Sequence, residues 1–433
     1  MGDGLPAQST GSSRDLPGLK ESIPEARIYW RQMRRRLPLL LFVLMLSTSR
    51  VADVEAQPPG PTRPGVDVLL ETPGLLQGRR IGLVTHAAGL TSAGETTSSV
   101  LLRDPRFTIA ALFAPEHGLT GTVPAGQPVP DSNGRVPIYS LYGATRRPTA
   151  DMMANIDVFV VDLQDVGARA YTFVSTMALV MQAAREAGKP VVVLDRPNPQ
   201  GGVQIDGPVL LPEFRSFIGM YPIPSVHGMT IGELAQLFNG LEIGADLTVV
   251  PMRGWSRRMV WEETGLPWVR PSPNITAMVT PFYYSVTGVL DGTTLSNGPG
   301  PASAFQGFYS QWLDGERLSR ELRRIGLPGV TFEPYDIGRG ERPRRGVRLV
   351  ITDASRFRPA ETAVHVLVET RRLHGDRLQF VARNGRYFFD LVWGTSSVRK
   401  DVMRGAPAHA IAARWEPDLR RFQIVRNSYL IYQ

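Results

Sequence analysis

Short hydrophobic runs, each closing on a cluster of polar and reactive residues, set the pattern of the first half of this chain. Ile81 to Thr85 runs into His86, and Phe107 to Ala114 runs into Pro115-Glu116-His117-Gly118. Ile156 to Val161 runs into Asp162-Leu163-Gln164-Asp165, and Val191 to Leu194 into Asp195-Arg196-Pro197-Asn198-Pro199. β-Branched runs separated by helix-like stretches read as parallel strands. Met177 to Ala187 has helical spacing and ends at Gly188-Lys189-Pro190, a stop signal. Thr230-Ile231-Gly232-Glu233 has the form of a capping box and opens a helix through Phe238; Leu247 to Val250 reads as a further strand. The pattern predicts an α/β fold, a Rossmann-like doubly wound parallel sheet, over residues 66–270. In such sheets ligands bind beyond the carboxyl ends of the strands. The polar clusters therefore mark where a site is expected.

The texture changes at Pro271-Ser272-Pro273-Asn274. Gly/Pro-rich loops follow from Leu290 to Pro301, then a helix around Gly315 to Ile325 and strand-like runs at Val330 to Phe332 and Gly346 to Thr352. A helix is expected near Ala360 to Arg372 and a helical segment from Ala408 to Phe422. Residues 271–433 are read as a smaller α+β C-terminal domain that completes a cleft with the first.

The amino terminus reads as a targeting segment. Met33-Arg34-Arg35-Arg36 is a basic start, Leu37 to Leu46 an apolar stretch too short to span a bilayer, and Val54-Glu55-Ala56 a small-x-small cleavage pattern. Residues 1–56 are thus a leader and signal peptide with its true start at Met33, and 57–65 a Pro-rich linker. Export to the periplasm or the medium is the expectation, with no stable membrane insertion after cleavage.

Composition narrows the chemistry. The chain has 433 residues and no cysteine, which removes disulfides and thiol catalysis. Its formal charge of +8 is carried almost wholly by arginine, without long basic runs interleaved with aromatics, so nucleic acid is not an expected partner. No Gly-x-Gly-x-x-Gly follows the first strand, no phosphate-binding loop occurs, and no Gly-x-Ser-x-Gly elbow is present. Six histidines without a His-x-x-x-His spacing call for no metal site, and no cofactor is expected.

Four clusters remain. In Pro115-Glu116-His117-Gly118 a proline stops the strand and a glycine permits a tight turn, projecting Glu116 and His117 at the sheet edge. A partly buried carboxyl is suited to general-acid work, because desolvation favours its protonated form. In the second cluster Asp162 and Gln164 fall on one side of the strand end and Asp165 near the turn, where Arg169 is expected to pair with it, ahead of Tyr171. Two prolines stiffen the third and aim Arg196 and Asn198 at a ligand, with Asp195 free to act as a cap. His227 precedes the capped helix, where the helix dipole favours a neutral imidazole.

At these residues the chain closely resembles the NamZ-type exo-β-N-acetylmuramidases, a peptidoglycan glycoside hydrolase family of exported bacterial proteins formerly known only as a domain of unknown function. The matching stretches are Gly82 to Thr85, Ala111 to Gly118, Pro137 to Gly143, Asp165 to Arg169, Leu194 to Pro199 and His227 to Leu234. Two departures stand out. The family pattern has Asn-Gln-Thr-Gly where His86-Ala87-Ala88-Gly89 occurs. A Ser-x-Gly-Arg-Gly-Thr motif, preceded by Glu-Gly-Thr-Asn, is replaced by Ser296-Asn297-Gly298-Pro299-Gly300-Pro301 after Asp291-Gly292-Thr293-Thr294.

The resemblance implies a Rossmann-like domain with a smaller C-terminal domain and a site in the cleft between them. It implies removal of terminal N-acetylmuramic acid from the non-reducing end of wall fragments, with Glu116 catalytic. On that basis Glu116 protonates the glycosidic oxygen, and His117, Asp162 or Asp165 tunes it or activates water. His86, Gln164, Arg169, Tyr171, Arg196, Asn198 and His227 are the expected sugar-positioning residues. Other readings stay open: a wall-binding protein without turnover, a divergent hydrolase of another sugar, and an esterase or amidase using a serine such as Ser140.

Overall fold

The computed structural model describes residues 60–298, 304–337 and 344–433. The expected leader over residues 1–56 and the replaced motif's Pro299-Gly300-Pro301 lie outside the described residues.

The first domain is built from α1 (Gly65–Glu71), β1 (Arg80–Thr85), α2 (Thr97–Arg103), β2 (Thr108–Ala114), β3 (Ile138–Ser140), α3 (Ala150–Met153), β4 (Val158–Asp162), α4 (Phe173–Glu186), β5 (Val191–Leu194), α5 (Ile231–Phe238) and β6 (Leu247–Val250). The six strands are all parallel and lie in the order β3-β2-β1-β4-β5-β6. This is the doubly wound order, in which the chain leaves β1 in one direction and returns to the other side of it at β4. The strand pattern explains why: β4 is buried along its whole length, so both faces need helices. Val84, Phe113, Phe159, Val161 and Val193 face a core closed by α4 and α5. Leu83, Leu112, Val160, Val192 and Leu194 face the opposite core, which contains Val66 and Leu69 of α1 and Leu101 of α2.

The α/β expectation holds, and the helices come out close to their sequence signals. Thr230 and Glu233 form the capping box at α5 with both reciprocal bonds made. The edge strand β3 was not anticipated; three residues are too few to show a period.

The second region is α+β. It contains α6 (Thr280–Thr287), β7 (Gly307–Ser310), α7 (Gly315–Ile325), β8 (Val330–Ile337), β9 (Arg344–Ile351) and α8 (Pro359–His374). A hairpin of β10 (Ala382–Arg383) and β11 (Arg386–Tyr387) follows, then α9 (Phe388–Trp393), α10 (Ser397–Met403), α11 (Ala408–Ala413) and α12 (Glu416–Asn427). An antiparallel sheet in the order β7-β9-β8 packs with α7 and α8 around Phe308, Phe332, Leu349 and Leu367. The helix expected from Ala408 to Phe422 is two helices, because Pro417 in the first turn of α12 cannot continue α11.

The chain end returns to the first domain. Phe422 joins the α4/α5 core, and the Tyr432 hydroxyl donates to Asp195 Oδ2 at 2.6 Å.

Candidate active site

The polar clusters meet at the carboxyl edge of the sheet, at the switch point between β1 and β4. Thr85 and Asp162 are register partners there, so His86 and Gln164 leave adjacent strands side by side. The Gln164 N–H donates to His86 Nε2 at 2.9 Å, which puts any imidazole proton on Nδ1, beside the Pro271 carbonyl. Burial, then the Arg196 and His117 charges, lower the His86 pKa to about 3 and keep the ring neutral.

Glu116 sits just beyond the end of β2 and is 6% exposed. Its Oε2 accepts the Thr172 hydroxyl at 2.6 Å and its Oε1 accepts the Gly126 N–H at 3.0 Å. Thr172 is the residue before α4, so the carboxyl lies at the positive end of a 14-residue helix. The Tyr142 hydroxyl lies near Glu116; burial, then this carboxylate, push that phenol up to about 12. His117 takes a left-handed backbone with φ of 73°, a strained state for a non-glycine residue. A 2.7 Å bond from its Nδ1–H to the Val123 carbonyl helps hold it there.

Asp165 accepts the Gly167 N–H at 2.7 Å through Oδ2, and His227 Nε2 stands 3.2 Å from the same oxygen. His227 Nδ1 accepts the Met229 N–H, which leaves Nε2 as the protonated nitrogen facing Asp165. Asp165 Oδ1 is buried and accepts no hydrogen bond among the described residues. The turn depends on Gly167, whose φ is +83° and where a Cβ would collide with the Asn198 amide.

Aromatic rings pack along this edge. Tyr171 and His86 pack edge-on against Phe173, with centroids at 4.8 and 4.7 Å, and Tyr284 of α6 meets Tyr171 at 6.0 Å. Burial, followed by the charges of Asp291, Glu116 and Asp165, pushes the Tyr284 phenol far up. One tyrosine from the C-terminal region thus lies within electrostatic reach of carboxylates from both domains.

Several expected ligand residues are turned to other work. Asp162 is fully buried and takes both the Nε and the Nη2 of Arg196, the latter at 2.8 Å. Arg196 Nη2 also donates to the Leu90 carbonyl at 2.8 Å. The expectation that Arg196 points at a ligand is corrected: the buried Asp162 carboxylate draws the guanidinium inward, where each charge is the other's compensation. Asn198 likewise turns inward, donating to the Met229 carbonyl and accepting the Gln200 N–H. Gln164 bridges the Asp165 and Pro197 carbonyls at 2.8 Å each.

The expected Arg169–Asp165 pair does not form. Arg169 instead donates to the carbonyls of Pro208, Ile223 and Val392, at 2.7, 2.7 and 3.0 Å. It satisfies carbonyls that water cannot reach and ties the first domain to α9, while Asp165 takes its donor from the Gly167 backbone. Burial lowers the Arg169 pKa to about 9.

Asp195 caps α5, as one reading of its loop expected. It accepts the Thr230 hydroxyl and the Gly232 N–H, both at 2.7 Å. Ser140 ends β3 with its Oγ accepting the Tyr142 N–H, an arrangement that does not activate a nucleophile. Among the described residues no three His, Asp or Glu side chains are arranged to hold a metal ion.

Glu116, His117, Asp165, Tyr171 and His227 therefore gather as the candidate site, and His86, Asp162, Gln164, Arg169, Arg196 and Asn198 form its frame. Sequence reading missed Tyr142, Thr172 and Tyr284. Tyr142 lay inside a matched stretch, whereas Tyr284 carried no signal, because only the packing of α6 brings it across.

Residues 81–279 match the family model for the N-terminal domain of exo-β-N-acetylmuramidase NamZ, and residues 282–432 match the model for its C-terminal domain. The peptidoglycan β-N-acetylmuramidase NamZ of Bacillus subtilis (strain 168) is 40% identical over 378 residues, 85% of this chain and 91% of that protein. Two crystal structures of DUF1343 family proteins from Bacteroides fragilis NCTC 9343 share the fold. One superposes with a TM-score of 0.78 at 35% identity, the other with 0.67 at 30%. Each covers 86% of this chain and 99% of its own.

Proposed function

The chain belongs to the exo-β-N-acetylmuramidase NamZ family, and from that membership and the site geometry we propose an exported, exo-acting glycosidase that removes β-N-acetylmuramic acid from the non-reducing end of peptidoglycan fragments. The seating of Glu116 carries the reading. It is a buried carboxyl at the carboxyl edge of the sheet, fixed by Thr172 and Gly126 and close to Tyr142. A group so fixed can meet one oxygen of a bound sugar with little reorganisation.

Glu116 gives its proton to the bridging oxygen as the bond from that oxygen to the anomeric carbon breaks. Water adds to the anomeric carbon and yields its proton to Asp165, leaving free N-acetylmuramic acid and the aglycone alcohol. Asp165 is the best of the candidate partners on geometry. Asp162 is taken by Arg196 and His117 is bonded to Val123, whereas Asp165 keeps one oxygen without a donor. His227 Nε2 stands 3.2 Å from the other oxygen.

The test is hydrolysis of a chromogenic β-N-acetylmuraminide beside the matching glucosaminide, using protein from Gln57 onward and its Glu116→Gln variant. Release from the muraminide alone is expected, with a loss of about 10²–10⁴-fold in the variant. An equally active Glu116→Gln protein excludes Glu116 as the acid. Binding of muropeptides without turnover returns the protein to a glycan-binding role. Export is tested by N-terminal sequencing of protein recovered outside the cytoplasm, which is expected to begin at Gln57.

A further inference from the structure

The loop after β3 carries two adjacent arginines with different fates. Arg147 pairs with Glu186. Arg146 is exposed, and among the described residues no carboxylate pairs with it. It is not loose, however. Its guanidinium carbon stands 4.3 Å from the ring centre of Phe217 and 5.4 Å from that of Tyr142. The two rings pack on each other at 5.8 Å, and Phe217 is buried. The loop beneath is braced by Thr145, whose hydroxyl donates to the Arg147 carbonyl and accepts the Arg147 N–H. Stacking holds the guanidinium plane while leaving its N–H fork free, the arrangement that suits two-pronged recognition of a carboxylate.

Tyr142 links this arginine to the catalytic group, since its phenol lies within electrostatic reach of Glu116 on one side and of Arg146 on the other. A phenol ring thus spans from the acid that would protonate a glycosidic oxygen to a positioned, unpaired cation. In N-acetylmuramic acid the lactyl carboxylate hangs from O3, two ring carbons from the anomeric carbon that carries that oxygen. The arginines first expected near the sugar, Arg169 and Arg196, are committed to buried carbonyls and to Asp162.

We propose that Arg146 is the specificity residue of the site, binding the lactyl carboxylate that distinguishes muramic acid from glucosamine. This rests on the muramidase reading above. Arg146 selects the sugar and seats it; it takes no part in bond breaking.

Calorimetric binding of free N-acetylmuramic acid and of its lactyl methyl ester tests this, with wild type, Arg146→Gln and Arg146→Lys. Wild type is expected to bind the acid, and Arg146→Gln to bind it about 10- to 100-fold more weakly, the range for a hydrogen bond to a charged group. Arg146→Lys should fall between them, keeping charge without the fork. All three proteins should bind the methyl ester alike. Undiminished binding of the acid by Arg146→Gln, an equal loss on acid and ester, or no binding of the acid by wild type overturns the proposal. Turnover of the chromogenic muraminide separates the two readings. Carboxylate-dependent binding without cleavage removes the hydrolase and keeps Arg146, whereas cleavage unaffected by Arg146→Gln keeps the hydrolase and removes Arg146.

Discussion

The Thr172 hydroxyl donates to Glu116 Oε2 at 2.6 Å, across 56 residues of chain. It joins the carboxyl after β2 to the start of α4, so the acid's position is set by a helix rather than by its own loop. Thr172→Val keeps the shape and removes the donor. Steady-state kinetics should show kcat down by about 10-fold, the value of one hydrogen bond to a charged group, with KM and melting temperature nearly unchanged. Wild-type kcat in this variant would mean that the loop alone seats Glu116.

The Asp162–Arg196 pair is fully desolvated and braces the loops after β1, β4 and β5. Removing one member strands the other charge, at a cost of about 3–5 kcal/mol. Arg196→Met should lower stability by that amount in chemical denaturation. Whatever fraction remains folded should have a near-normal KM, because the residue does not face the sugar. A large KM effect at unchanged stability would restore Arg196 as a ligand.

Acid sensitivity should trace in part to His86. Its folded pKa of about 3 lies below the ordinary imidazole value of 6.5. The unfolded chain therefore binds the extra proton first, and the stability contributed by neutral His86 is complete above pH 6.5 and lost as pH falls toward 3. Asp195 acts in the opposite sense. Burial raises it from 3.8 to about 6, so its contribution is present at low pH and lost as pH rises through that window. His86→Gln can still accept the Gln164 N–H but does not titrate. Denaturation at pH 7, 5 and 4 should show the variant gaining on wild type by on the order of 1 kcal/mol per pH unit below 6.5. A constant difference across that range would contradict the assignment.

Arg169 holds carbonyls from three segments of the chain. Arg169→Met should leave these buried acceptors unpaired and cost about 3 kcal/mol or more. Because Val392 belongs to α9, hydrogen exchange should rise along α9 before it rises in the parallel sheet. Uniform loosening would show that the tie between domains is made elsewhere.

Much of the scaffold was legible along the chain. Five of the six parallel strands were visible as apolar, β-branched runs, the α5 cap as Thr230 to Glu233, and the candidate site as polar clusters at strand ends. Local chemistry is enough for these, since apolar runs must be buried and a cap bonds within one turn. Six motifs in order carried the family as well. The edge strand β3 escaped, being too short to have a period.

Partnership was the part decided only by folding. The chain places Asp165 four residues from Arg169, and charge alone pairs them; the fold gives Asp165 to His227 and Gly167, and sends Arg169 to Val392, 223 residues away. It likewise turns Arg196 from a ligand residue into the partner of Asp162, and brings Tyr284 against Tyr171. Short-range signals specify which segments become strands and helices, because that requires only a residue and its neighbours. Which buried charge compensates which depends on distances between residues far apart in sequence, and the packing of the two domains sets those distances.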